Sequence, residues 1–203
     1  MKIETLSFDN SMAVEQAAML LVDSFKDNWP EAWPTLAEAL ETLHEACAAD
    51  RICRAAFDES GQVIGWIGGI PQYNGHVWEL HPLVVRADCR RQGVGRALVA
   101  DLEAQVRRAG GVTLWLGSDD ESNTTSLGGV DLYPDPLAHL ANIRNLRGHP
   151  YEFYLKLGFA LVGVLPDANG PGKPDIFMAK AVLPHPPHCG GWVGGGGLKV
   201  IFI

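Results

Sequence analysis

The apolar positions change their period along the chain, and the changes divide it into elements. Val14, Ala17, Ala18, Leu21 and Phe25 recur at helical spacing and predict a first amphipathic helix. Trp29-Pro30 and Trp33-Pro34 interrupt it, because proline disfavours helix in the residue before it. A second helix is predicted over 35–48. Strands follow over 51–57 and 62–70, joined by a turn at 58–61, and again over 77–85. Over 93–109 the helical period returns, with Val94, Ala97, Leu98, Leu102 and Val106 on one face. A strand is predicted over 112–116. Periodicity is poor from 117 to 145 apart from a short helix near 137–143. A helix over 151–157 stops at Gly158, a good C-terminal signal. Strands over 159–165 and 176–182 close the pattern. Residues 1–183 read as one mixed α/β domain, and 184–203 as a separate tail. The tail is rich in Pro and Gly up to 197, then reads Leu198-Lys199-Val200-Ile201-Phe202-Ile203. That apolar end is expected either to add a strand to an exposed edge or to remain an aggregation-prone extension.

Charge and cysteines narrow the class. With 16 basic and 24 acidic residues the net charge is −8, which argues against nucleic acid or an anionic membrane as partner. No apolar run reaches the ~20 residues of a membrane span. The first nine residues alternate charged and apolar side chains without the pattern of a signal peptide. A cytoplasmic location is expected. Cys47, Cys53, Cys89 and Cys189 have no C-x-x-C spacing, so they are expected to be reduced thiols, with no zinc site. His185, His188 and Cys189 read as an incidental part of the tail, and no metal is expected.

The most informative stretch is Val77-Trp78-Glu79-Leu80-His81-Pro82-Leu83-Val84-Val85, followed by Arg90-Arg91-Gln92-Gly93-Val94-Gly95-Arg96-Ala97. A strand runs into a short basic loop whose glycines open a helix. Glycines let backbone approach a ligand closely, and the first helical N–H groups point at it with the helix dipole behind them. This predicts an anion site that a pyrophosphate fits. It is neither a dinucleotide fingerprint nor a Walker A loop, because G-x-G-x-x-G and Gly-Lys-Ser/Thr are absent here.

The spacing Arg90-x-x-Gly93-x-Gly95, after a strand and opening a helix, resembles the coenzyme A loop of the GCN5-related N-acetyltransferases. Tyr154-Leu155-Lys156-Leu157-Gly158-Phe159 is similar to the late Tyr-x-x-x-Gly-Phe segment of that superfamily. Within it, Ile70-Pro71-Gln72-Tyr73, Trp78 to Val85, Leu116-Gly117-Ser118-Asp119-Asp120 and His149-Pro150-Tyr151-Glu152-Phe153-Tyr154 resemble the chromosomal-type aminoglycoside 6′-N-acetyltransferases. So do Gly163 to Gly170 and Lys173-Pro174-Asp175-Ile176. The likeness runs over nearly all of residues 10–184. One departure is that Arg147 stands where the superfamily commonly has Asn, with Asn145 two residues earlier.

The resemblance implies a central, mostly antiparallel sheet flanked by helices, acetyl-CoA as cosubstrate, an aminoglycoside acceptor, antibiotic resistance and a homodimer. It implies that backbone groups of Leu83, Val84 and Val85 hold the pantetheine arm and the thioester oxygen, as an oxyanion site does. Gly93, Val94, Gly95, Arg96 and Ala97 would hold the pyrophosphate, with charge from Arg90, Arg91 and Arg96 and with Gln92 in the same loop. An amine near 10.4 must lose a proton before it attacks. Glu79 is the first candidate to relay that proton or hold the ammonium, and His81 is the competitor with better-matched basicity. Strand alternation puts Glu79, His81 and Leu83 on one side if no bulge intervenes. Tyr154 is the candidate that orients or protonates the departing sulfur, with Tyr151 on nearly the same helix face.

Acidic residues cluster where no base interrupts them. Between Arg108 and Arg144 there is no Lys or Arg, and Asp119, Asp120 and Glu121 fall in that span. They are expected to draw a polycationic amino sugar. Trp29, Trp33 and Tyr73 are candidate flat walls under its rings. The alternatives are a polyamine or a protein lysine as acceptor, or a non-catalytic acetyl-CoA-binding module.

Overall fold

A computed structural model describes residues 1–26 and 32–183. The chain order is β1 (Lys2–Thr5), α1 (Ser11–Phe25), α2 (Leu36–Ala46), β2 (Ile52–Phe57), β3 (Val63–Gln72), β4 (Val77–Val85), α3 (Val94–Arg108), β5 (Thr113–Asp119), α4 (Pro136–Ala141), α5 (Tyr151–Lys156), β6 (Ala160–Leu165) and β7 (Asp175–Ala181). Each element predicted within the described residues is there, displaced by a few residues at its ends. The strand that the pattern misses is β1, four residues pairing with β2 at the sheet edge. Trp29, the metal-ligand types of the tail and the tail's apolar end lie outside the described residues.

Local chemistry starts the helices where they start. Asn10 accepts from the Ala13 amide at 3.1 Å ahead of α1. Thr35 and Glu38 form a reciprocal capping box ahead of α2. The hairpin turn between β2 and β3 is tied by Asp58, whose Oδ1 accepts from Ser60 and Gln62.

The seven strands form one sheet in the order β1-β2-β3-β4-β5-β7-β6. All neighbours are antiparallel except β4 and β5. On one face α3 packs Leu98, Leu102 and Val106 against Ile67, Leu80 and Leu114. On the other, α1 and α2 pack Ala17, Leu21 and Leu43 against Trp66 and Val84. The Trp66 indole N–H donates to the Ala17 carbonyl at 2.9 Å, which satisfies a buried donor and fixes α1 to the sheet.

Two irregularities in β4 open the sheet. The register with β3 runs Ile67↔Leu83, then Gly69↔Leu80, so β4 carries an extra residue at His81-Pro82, where the peptide bond is cis. Gly68 faces the bulge, and any Cβ there would collide with the His81 carbonyl. On its other side β4 pairs with β5 only from Val77 to Glu79. Beyond Glu79 the two parallel strands diverge, leaving a wedge between them.

The bulge overturns one expectation about faces. Leu80 and Leu83 both pack on the α3 side, whereas Val84 packs under α1. Glu79 precedes Leu80 and pairs with Ile70, so it shares the α1 face with Val84, not the Leu83 face. The extra residue shifts the two-residue alternation by one.

The cysteines are also corrected. Cys47 and Cys53 form a disulfide that closes the link between α2 and β2, with their Cα atoms 5.0 Å apart. The chain turns back on itself between these elements, which brings together two residues whose spacing matches no motif. Cys89 is free.

Candidate active site

The wedge between β4 and β5 is the mouth of a cavity of about 750 Å³. Residues 80–85 of β4 form one wall and Gly117, Ser118 and Asp119 of β5 the opposite one. Tyr154 and Phe153 of α5 close one side, while Ser24, Phe25 and Trp33 approach from the α1–α2 connection. Trp33 is held by its indole N–H donating to Thr42 Oγ1 at 2.8 Å and by edge contact with Phe25 at 4.6 Å.

At one end the cavity meets the start of α3. Gly93 has φ +90° and precedes the helix with no side-chain cap, so the first helical N–H groups remain available to a ligand. Gly95 is the close-packed glycine, because a Cβ there would meet the Phe153 ring at 3.3 Å. Arg90, Arg91 and Arg96 line this end. Arg90 Nε donates to the Val85 carbonyl at 3.1 Å, which ties the basic loop to the end of β4. Gln92 donates to the Asp88 carbonyl at 2.6 Å, so its side chain shapes the loop. Val94 turns its side chain into the core, and neither it nor Ala97 lines the cavity. Together, the uncapped helix start, the close backbone and the three guanidinium groups fit a pyrophosphate.

The α1 face of β4, β5 and β7 carries the carboxylates. Glu79 is half-buried and accepts from Gln72 Nε2 at 2.6 Å. Asp119 lines the cavity and accepts from Asn169 Nδ2 at 2.5 Å. Glu121 lines it too, with Lys173 Nζ at 3.8 Å. Asp175 pairs in register with Asp119. Burial, with Asp119 and Glu79 adding repulsion, pushes its carboxyl up to about 6. Two buried polar atoms on this face, Asp175 Oδ1 and Trp115 Nε1, have no hydrogen-bond partner among the described residues.

Asp120 does not join them. It is 1% exposed. Oδ1 accepts from the Thr124 amide and hydroxyl at 2.6 and 2.9 Å, and Oδ2 from those of Thr125 at 2.9 and 2.7 Å. Burial opposes its ionisation, but these bonds prevail and hold the carboxyl below its ordinary value. Strand alternation turns consecutive acids to opposite sides, so Asp119 faces the cavity and Asp120 builds the loop behind it. Asp120 is thereby removed from the expected acceptor contacts.

The remaining candidates separate by position. His81, in the bulge, is exposed and lines the cavity, whereas Glu79 stands beside it without lining it. Tyr154 lines it; Tyr151 is buried and does not. Burial pushes the Tyr154 phenol well above its ordinary value. Tyr73 is 75% exposed in a one-turn helix beyond β3 and does not line the cavity. Arg147 and Asn145 do structural work: Arg147 donates to the Ser122 and Asn123 carbonyls, and Asn145 ties the turn before His149. Sequence reading also passed over His149 as a site support. Its Nδ1 accepts from the Tyr151 amide and its Nε2 lies 3.1 Å from the Asp119 carbonyl, joining α5 to β5. Burial lowers its basicity, which suits the neutral ring those two roles need.

Comparison with known proteins agrees with this geometry. The profile of the acetyltransferase (GNAT) family matches residues 18–133. Among curated proteins none matches the chain. Among solved structures, an aminoglycoside 6′-N-acetyltransferase complexed with coenzyme A is 42% identical, with TM-score 0.84, covering 92% of this chain and 99% of its own. The aminoglycoside 6′-N-acetyltransferase from Enterococcus faecium is 42% identical, with TM-score 0.82 and the same coverage. An aminoglycoside 6′-acetyltransferase type Ii is 37% identical, with TM-score 0.69, covering 92% of this chain and 100% of its own. The splayed β4–β5 wedge, the anion cradle and these likenesses converge: the chain belongs to the acetyltransferase (GNAT) family.

Proposed function

We propose that this chain transfers the acetyl group of acetyl-CoA to the 6′-amine of aminoglycoside antibiotics, directly, within a ternary complex. The observation that carries the reading is the single cavity that joins an anion cradle at one end to a carboxylate-bearing sheet face at the other. The relatives that act on aminoglycosides support the acceptor class. A catalytic domain over 1–183 with an appended tail, a cytoplasmic setting, a homodimer and a role in resistance belong to the same reading and rest on the family likeness.

In this reading, the start of α3 with Arg90, Arg91 and Arg96 binds the pyrophosphate of acetyl-CoA. The free edge of β4 at Leu83 to Val85 offers backbone groups to the pantetheine arm and the thioester oxygen. The acceptor nitrogen attacks the thioester carbonyl carbon, the C–N bond forms and the C–S bond breaks. Coenzyme A leaves as the thiolate, and the proton from nitrogen passes through water to Glu79. His81 is the second possible acceptor for that proton. A phenol raised by burial is a poor acid for a thiolate of ordinary basicity. Tyr154 therefore serves by orienting the sulfur as a neutral donor.

Release of coenzyme A thiol, followed with acetyl-CoA and a panel of acceptors, tests the reading. Turnover with kanamycin, and none with its analogue lacking the 6′-amine, is expected. Turnover with spermidine or a lysine peptide alone would replace the acceptor class. Acetyl-CoA binding with no turnover on any acceptor would favour a non-catalytic binding module.

A further inference from the structure

Tyr154 reaches the cavity from a helix of only six residues, so its position depends on what holds that helix. The far end of α5 is held by packing on β6 and β7 and by Lys180, whose Nζ donates to the Leu157 carbonyl at 2.7 Å. The near end begins at Pro150, which lines the cavity. Facing it is the end of β5, which from Gly117 to Asp119 pairs with β7 but no longer with β4. His149 joins the two. It is 3% exposed and does not line the cavity. Its Nδ1 accepts from the Tyr151 amide at 3.2 Å, which satisfies the first free N–H of α5. Its Nε2 lies 3.1 Å from the Asp119 carbonyl. An amide only donates and a carbonyl only accepts, so the ring is the neutral tautomer with its proton on Nε2. Burial favours that neutral form, outweighing the Asp119 and Asp120 carboxylates. Asn145 fixes the ring's own backbone from both sides, accepting from the His149 amide at 2.8 Å and donating to its carbonyl at 2.9 Å. Among the described residues, the Nε2 contact is the one hydrogen bond from residues 149–157 to β5. An apolar side chain could fill this space but could not hold two elements in fixed directions.

Resting on the function proposed above, we infer that His149 is a positioning residue: a rigid strut that sets the Tyr154 hydroxyl against the β5 wall, where the departing sulfur of coenzyme A needs it. His149 touches neither substrate and carries no proton in the reaction. It acts through Tyr154, and its effect therefore falls on acetyl transfer and not on the binding of either substrate.

The test is a double-mutant cycle between His149 and Tyr154, read as the rate of acetyl transfer to kanamycin in a single turnover. Rates are taken at a temperature at which circular dichroism shows each variant folded. Asparagine keeps an acceptor near Nδ1 but is too short to reach Asp119, whereas glutamine places a donor near Nε2. His149→Asn is expected to slow transfer about fivefold, the loss of one hydrogen bond, and no more than Tyr154→Phe itself does. The KM values for acetyl-CoA and kanamycin stay within about twofold. In the Tyr154→Phe background, His149→Asn has almost no further effect. His149→Gln recovers most of the wild-type rate. An equal loss from His149→Asn in both backgrounds is the mark of a merely structural role and overturns the inference, as does an unchanged rate in His149→Asn. Should His149→Asn fail to fold, His149→Gln carries the test: a rate near wild type supports the strut, and an equal fall in both backgrounds overturns it. Each of these overturning results leaves the proposed function standing. Absence of kanamycin acetylation by wild type overturns the proposed function and this inference with it.

Discussion

Gln72 Nε2 donates to Glu79 Oε2 at 2.6 Å between adjacent strands, which orients the carboxylate that stands closest in sequence to the bulge of β4. The bulge places Glu79 on the open α1 face with Asp119 and Asp175, whereas regular alternation would have put it with Leu83. If Glu79 relays the proton of the acceptor amine, Glu79→Gln lowers kcat about 100-fold, in the range for general-base removal, with the KM for acetyl-CoA unchanged. Gln72→Ala, which frees the carboxylate, lowers kcat about fivefold, as expected for loss of one hydrogen bond. Steady-state kinetics of Glu79→Gln and His81→Ala side by side distinguishes the two candidates, because only loss of the relaying group lowers kcat to that extent.

The anion cradle predicts a selective effect on one substrate. Arg96→Ala raises the KM for acetyl-CoA about tenfold and leaves the KM of the acceptor unchanged, because one charge-assisted contact is removed from the pyrophosphate end alone. The wild-type KM for acetyl-CoA rises with ionic strength more steeply than that of the variant.

Tyr154 lines the cavity, yet burial keeps its phenol neutral far into alkaline pH. Tyr154→Phe therefore lowers kcat by about tenfold or less, and the alkaline limb of the wild-type pH profile is retained in the variant. A loss of about 1000-fold, with that limb abolished, would assign Tyr154 as the obligatory acid instead.

Asp120 predicts a stability effect. Its folded value lies below the unfolded one, near 3.9, so its contribution is fully present above that pH and is lost as pH falls through the folded value. Asp120→Ala leaves four donors of Thr124 and Thr125 without their acceptor, at a cost of about 3 kcal/mol near neutrality. Urea unfolding at pH 7 and at pH 3 checks this: the difference between wild type and variant narrows at the lower pH.

How much of this could be read from the residues follows from the range of the interactions. Helix α3 and the Arg-x-x-Gly-x-Gly loop are local signals, carried by apolar period and by glycines within one turn, and both stand where the pattern puts them. The bulge at His81-Pro82 depends on register with β3, a pairing across the β-hairpin, so alternation alone misassigned the face of Glu79. Asp119 and Asp120 are chemically alike, and only the strand they share and the Thr124–Thr125 turn separate a cavity carboxylate from a loop-building one. Asp175 lies 56 residues from Asp119 in the chain, and nothing local marks it as its neighbour. Cys47 and Cys53 meet through the path of α2 into β2, which no cysteine spacing announces.

The most direct measurement is the position of the acetyl group on the product. Kanamycin incubated with the protein and acetyl-CoA labelled with carbon-13 at the carbonyl is analysed by long-range proton–carbon NMR. The account predicts one labelled amide, on the 6′-nitrogen. Label on any other nitrogen, or on none, would contradict it.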